Sequence, residues 1–209
     1  MTLHALTVDR LTCIRGGRLV FRDLSFELAH GQALALEGAN GAGKTSLLRM
    51  LAGFLAPVAG KVVLHQDDTQ IAEGETRAKR IGWLGHLDAA KPQMRVGEVL
   101  QFFARFYDAS ASESDITAAL EVVGLVRLAD LPCQYLSAGQ KKRLALARLR
   151  LCARPLWLMD EPLAALDAAG KTLAAAMISA HCKDGGMAVI ATHEPLGIAS
   201  ERLPLSGAG

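Results

Sequence analysis

Gly38-Ala39-Asn40-Gly41-Ala42-Gly43-Lys44-Thr45 constrains this chain more than any other stretch, because it fits the phosphate-loop pattern G-x-x-x-x-G-K-[ST]. Ala33-Leu34-Ala35-Leu36 before it is a short apolar run that reads as a buried strand. After it Leu47, Leu48, Leu51, Phe54 and Leu55 recur at helical spacing, which predicts a helix over 45–55. A strand, a glycine loop and a helix in that order form the setting the pattern needs. The glycines let successive backbone N–H groups turn inward onto phosphate oxygens, at the positive end of the helix. Lys44 is expected to reach the β- and γ-phosphates, the Thr45 hydroxyl to bind Mg²⁺, and Ser46 to bind the nucleotide with the loop. A chance match to the pattern arises on the order of once in a hundred chains of this size, and the correct flanks reduce that further.

The rest of the composition narrows the partners. A formal charge of +2 is too small to argue for nucleic acid. Apolar residues make up 51%, yet no run of about 18 uncharged apolar residues occurs, so no membrane span is expected. Such a chain buries surface either in a large core or against partners. Met1-Thr2-Leu3-His4 leads straight into patterned sequence with no signal segment, and a cytosolic protein is expected. Cys13, Cys133, Cys152 and Cys182 form no C-x-x-C pair and are read as buried or half-buried free thiols.

Taken in order, 5–14 and 24–28 read as antiparallel strands about a Gly16-Gly17 turn, and His30-Gly31 turns the chain into the strand before the loop. Pro57 and Gly60 are read as the stop to the first helix, 61–65 as a strand, 67–79 as a polar surface loop with some helix, and 81–84 as an apolar strand. Val99, Leu100, Phe103, Phe106 and Tyr107 share one face of a helix. Ile116, Leu120 and Val123 share a face of a second, closed by Gly124. This helical block interrupts an α/β chain and reads as an inserted subdomain. Its aromatics belong to the core or face a partner, the core reading being favoured.

Leu136-Ser137-Ala138-Gly139-Gln140 then opens an Ala/Leu/Arg-rich helix, with Ser137 and Gln140 spaced as a capping box. Its unpaired N–H groups and positive dipole make a second anion site, far along the chain from the first. Leu156-Trp157-Leu158-Met159 is a continuous apolar run suited to a parallel strand buried on both faces, and it ends in Asp160-Glu161. Carboxylates at the carboxyl end of such a strand sit where doubly wound sheets hold ligands. Asp160 is expected to assist Mg²⁺ coordination and Glu161 to polarise an attacking water. After a helix around 174–180, 189–192 is another buried strand, ending in His193, which at a strand end of a nucleotide fold can donate to a γ-phosphate and sense its loss.

The phosphate loop, Leu136–Gln140, Asp160-Glu161 and His193, in this order and spacing, resemble the ATP-binding cassette ATPases over essentially the whole chain. The resemblance implies an α/β fold of the P-loop NTPase type. Its RecA-like core sheet would carry an N-terminal antiparallel β subdomain and an inserted helical subdomain at approximately 87–152, within a single nucleotide-binding domain over 1–209. It implies a Walker A at Gly38–Thr45, a signature at Leu136–Gln140, a Walker B at Leu156–Glu161, a D-loop ending at Asp167 and a switch histidine at His193. Two ATP·Mg²⁺ are then sandwiched head to tail between two copies, so a homodimer is expected with ATP bound.

The chain departs from the pattern at four places: Arg15 where an aromatic usually stacks on adenine, His86 at the glutamine of the Q-loop, Ala138 in the signature and Ala164 in the D-loop. A guanidinium also stacks on a base, and a neutral imidazole at His86 can still coordinate the metal. Leu84-Gly85-His86, Glu37–Thr45, the Ala138 signature and Thr192-His193-Glu194-Pro195 look like the ATPase subunit of the bacterial cytochrome c maturation system. That resemblance implies integral-membrane permease partners at the cytoplasmic face of the inner membrane, with ATP turnover driving haem export or release of a haem-loaded chaperone. No haem is expected on this chain, whose His4, His30, His65 and His181 are scattered and none paired with a cysteine at ligand spacing. An exporter ATPase for another substrate and a soluble cassette regulator are the competing readings. A small-molecule kinase has no use for Leu136–Gln140.

Overall fold

The computed structural model describes residues 3–85, 91–107 and 111–206. Strands β1 (Leu3–Arg15) and β2 (Arg18–Ala29) pair antiparallel around Gly16-Gly17, whose φ angles of 54° and 77° suit the two-residue turn that matches strand twist. β4 (Ala59–Gln66) lies on the other flank of β1, and β5 (Thr69–Ile71) beyond it, giving the order β2-β1-β4-β5. The second sheet is parallel. It is made of β3 (Ala33–Glu37), β6 (Ile81–Leu84), β7 (Leu156–Asp160), β8 (Met187–Ala191) and β9 (Glu201–Pro204), in the order β6-β7-β8-β3-β9. β7 and β8 are buried at every position, which is why they read as unbroken apolar runs.

Helix α1 (Lys44–Leu51) is packed between the sheets. Its Leu47, Leu48 and Leu51 share one buried cluster with Leu6 and Leu64 from the antiparallel sheet and Leu34, Leu158 and Val189 from the parallel one. The opposite face of the parallel sheet carries α5 (Ala138–Cys152) and α6 (Ala168–Lys183), with α3 (Val96–Phe106) and α4 (Glu113–Val122) stacked on α5. β6 and β7 are neighbours in the sheet although α3, α4 and α5 separate them in the chain. Gly124, at φ 71°, closes α4: its N–H bonds to Glu121 and that of Leu125 to Leu120. All four cysteines are free thiols, three of them buried.

Four local expectations change. The first helix ends at Leu51, not Leu55; Gly53 at φ 80° breaks it, ahead of Pro57 and Gly60. The Arg77 guanidinium bonds to the Met50 and Leu51 carbonyls there. Phe54 is therefore 63% exposed, its ring edge-on to Trp83 at 5.3 Å. The polar stretch 67–79 contains β5 and the one-turn helix α2 (Gly74–Ala78), which delivers that buried Arg77. Phe106, expected among the core-facing aromatics, is 67% exposed beside Phe102. Finally, β9 was not legible: Glu-Arg-Leu-Pro has no apolar alternation, and Pro204 is tolerated because the strand lies at the sheet edge.

Candidate nucleotide site

The loop Gly38–Gly43 leaves the carboxyl end of β3 and enters α1 at Lys44. Gly43 occupies the cap position at φ 101°, and no side chain caps the helix there. Helices α4, α5 and α6 instead have Ser112, Ser137 and Asp167 bonded over their first turns. The first N–H groups of α1 are thus left facing outward with the positive end of the helix behind them, an arrangement that takes an anion. β9 supports the start of the loop. Leu205 N–H donates to the Glu37 carbonyl at 2.7 Å, and the Leu205 carbonyl oxygen lies 2.5 Å from where a Cβ on Gly38 would stand. At φ 149° with that neighbour, position 38 admits glycine alone. Ala39 and Ala42 form the turn, the N–H of Ala42 donating to Ala39 at 3.1 Å.

Lys44 is buried, and its ammonium donates to the carbonyls of Gly38 at 2.7 Å and Ala39 at 3.2 Å. The same Nζ stands 3.1 Å from Nε2 of His193. The Thr45 hydroxyl donates to Oδ2 of Asp160 at 2.9 Å, joining the loop to the end of β7. Asp160 is buried. Glu161 follows at φ 49°, its N–H tied to the Ala191 carbonyl at 2.9 Å and its carboxylate 3.5 Å from His193 Nε2. The left-handed bend at Glu161 separates two adjacent carboxylates, one turned into the loop and the other beside the histidine. His193 is held by a tight turn in which the Thr192 hydroxyl both accepts from the Glu194 N–H and donates to the Glu194 carbonyl.

These groups share a cleft of about 780 Å³. Arg15, Asn40, Gly41 and Ser46 line it with Lys44, Thr45, Asp160, Glu161 and His193, basic toward the loop and acidic toward β7. Arg15, expected at the base position only through resemblance, is on that wall. Val20, Arg49, Trp83 and Gly85 line it as well and were not foreseen. For Trp83 a signal existed: an aromatic near the carboxyl end of a short buried strand beside the Asp160 strand. His86 lies outside the described residues.

The structure does not bring Leu136–Gln140 to this cleft. Leu136 is buried as an anchor, while Ser137 and Ala138 are exposed. The capping box is present: Ser137 N–H donates to Gln140 Oε1 at 2.8 Å, and Gln140 N–H to Ser137 Oγ at 3.2 Å. The start of α5 packs against the 163–167 connection, where a Cβ on Gly139 would stand 2.8 Å from the Ala165 carbonyl oxygen. Among the described residues no group of three or more His, Cys, Asp and Glu side chains could hold a metal unaided. No helix among them is long and apolar enough to cross a membrane.

The sequence pattern of the ABC transporter family matches residues 21–164. The chain is 48% identical over 200 residues to the cytochrome c biogenesis ATP-binding export protein CcmA of Rhodopseudomonas palustris strain BisB5, covering 95% of this chain and 96% of that protein. It is 47% identical over 193 residues to the protein of the same name from Dechloromonas aromatica, covering 92% and 94%. Among solved structures it is similar to an ATP-binding subunit of an ABC transporter, with TM-score 0.80 at 23% identity over 90% of this chain and 79% of that one. A bacterial Atm1-family ABC exporter with ATP bound gives TM-score 0.83 at 23% identity over 98% of this chain and 37% of the exporter.

Proposed function

The chain belongs to the ABC transporter family, and from that premise we propose that it is the ATP-hydrolysing subunit of a membrane complex for c-type cytochrome biogenesis. It would sit at the cytoplasmic face of the bacterial inner membrane, docked on integral-membrane permease subunits. Its turnover would power haem export or release of the haem-loaded chaperone. Similarity to proteins named for cytochrome c biogenesis, over nearly the full length of both chains, supports that assignment.

The observation that carries the chemistry is the meeting of Lys44, the Thr45–Asp160 pair and the Glu161–His193 pair in one cleft. The N–H groups at the start of α1 and the Lys44 ammonium bind the β- and γ-phosphates. Thr45 Oγ1 and Asp160 Oδ2 suit Mg²⁺, which takes one or two protein oxygens and completes its shell with phosphate and water, so a three-carboxylate cluster is not needed. When bound, that ion neutralises charge on the transferred phosphoryl group. Glu161 accepts a proton from the attacking water as its oxygen bonds to the γ-phosphorus and the bond to ADP breaks. His193 hydrogen-bonds the γ-phosphate between Lys44 and Glu161. Arg15 lies against the base. The exposed, capped start of α5 closes over the γ-phosphate bound by a second copy, which makes the active species a head-to-tail homodimer.

Deleting the gene should abolish c-type cytochromes, and the wild-type gene, but not its Glu161→Gln form, should restore them. Normal c-type cytochromes in the deletion strain would refute the biogenesis role and leave the ATPase standing.

A further inference from the structure

We propose that the first turn of α6 is a strut between the signature helix α5 and the switch histidine, with Arg143 and Lys171 as its two ends; this rests on the hydrolytic reading of the site. One carboxylate oxygen of Asp167 accepts both the Gly170 N–H that starts α6, at 2.8 Å, and Nη2 of Arg143 on α5, at 2.7 Å. Lys171 follows, its N–H bonded to the Asp167 carbonyl at 2.8 Å and its ammonium paired with the Glu194 carboxylate. Glu194 is the residue after His193 and is locked to it by the Thr192 turn.

The path therefore runs through contacts that each have a named donor and acceptor: Arg143, Asp167, Lys171, Glu194, then His193 with Lys44 and Glu161. The helix that carries Arg143 begins at Ser137, which is exposed and does not line this copy's own cleft. When a second copy's γ-phosphate arrives at the start of α5, the displacement reaches His193 of the first copy through α6, so each composite site reports to the other. Neither Arg143 nor Lys171 lines the nucleotide cleft. They are positioning residues, and their loss should change turnover without changing affinity. The Lys171 and Glu194 side chains are about two-fifths exposed, at 39% and 46%, so each deletion should cost roughly two- to fivefold.

The test uses the full chain. Lys171→Ala, Glu194→Ala, their combination and the exchanged pair (Lys171→Glu with Glu194→Lys) are compared for ATPase rate against ATP concentration, binding of a fluorescent ATP analogue, and melting. The strut predicts equal falls in kcat and cooperativity for both single variants, and no further fall for the double. The exchanged pair should recover, with nucleotide Kd and melting unchanged throughout. Wild-type kcat in Lys171→Ala, additive losses, or no recovery in the exchanged pair would overturn it. Absence of hydrolysis by the wild-type chain would instead bring down the reading of the site. In that case the ¹⁵N resonances of the His193 imidazole decide: movement in Lys171→Ala with return in the exchanged pair upholds the strut, and unmoved resonances overturn it.

Discussion

Glu161 and Lys44 both approach Nε2 of His193, and their chemistry separates hydrolysis from binding. Glu161→Gln keeps the shape of the side chain and removes its ability to take a proton. Turnover should fall by about 10²-fold or more while a fluorescent ATP analogue still binds, and full ATPase activity would contradict the assigned base. Lys44→Ala removes a buried ammonium whose bonds to phosphate are charge-assisted, so nucleotide affinity should drop roughly ten- to a hundredfold in equilibrium titration. These residues were legible in sequence because their chemistry sits at fixed places: a glycine loop after one strand, and the residue just past the end of a buried strand. Arg49 was not, since only the packing of α1 brings it to that wall, and the aromatic at the end of β6 that marks Trp83 went unread. Arg15 was found through family resemblance; nothing in its local pattern marks it out.

At the scale of elements, Arg77 shows what periodicity misses. It rises from a one-turn helix in polar sequence and donates to the Met50, Leu51, Val62 and Ala72 carbonyls, joining α1, β4 and the end of β5. A positive charge at the carboxyl end of α1 also complements the helix dipole. Burial pulls its pKa down from the usual range, the cost of desolvating a charge that those four carbonyls face. Arg77→Leu should therefore destabilise the protein by about 3 kcal/mol, read as a shift in the urea midpoint. The stack of His181 on Trp157, with ring centroids 3.9 Å apart, sets a pH dependence. Burial lowers the His181 pKa below its ordinary value of 6.5, outweighing its bonds to the Met187 and Pro155 carbonyls. The unfolded chain thus takes up a proton at a pH where the folded chain does not. Stability is complete above about pH 6.5 and is lost as pH falls from there through the folded value. Melting temperature measured from pH 7.5 downward should show that decline, and His181→Gln should flatten it.

For the molecule as a whole, two sheets clasping α1 put the phosphate loop, Asp160 and His193 at the carboxyl ends of neighbouring strands β3, β7 and β8. The layering was readable from apolar runs and glycine turns. β9 was not, because an edge strand held by one neighbour needs no apolar signature. The signature peptide does not line its own nucleotide cleft, and the proposed head-to-tail pairing would bring it to a second copy's. The mass of the Glu161→Gln protein in solution, measured by light scattering with and without Mg²⁺ and ATP, tests this most directly. The account predicts a monomer without nucleotide, twice that mass with ATP, and a return to monomer when Ser137→Arg is added. A Glu161→Gln protein that binds ATP yet stays monomeric, or a dimer indifferent to Ser137→Arg, would contradict it.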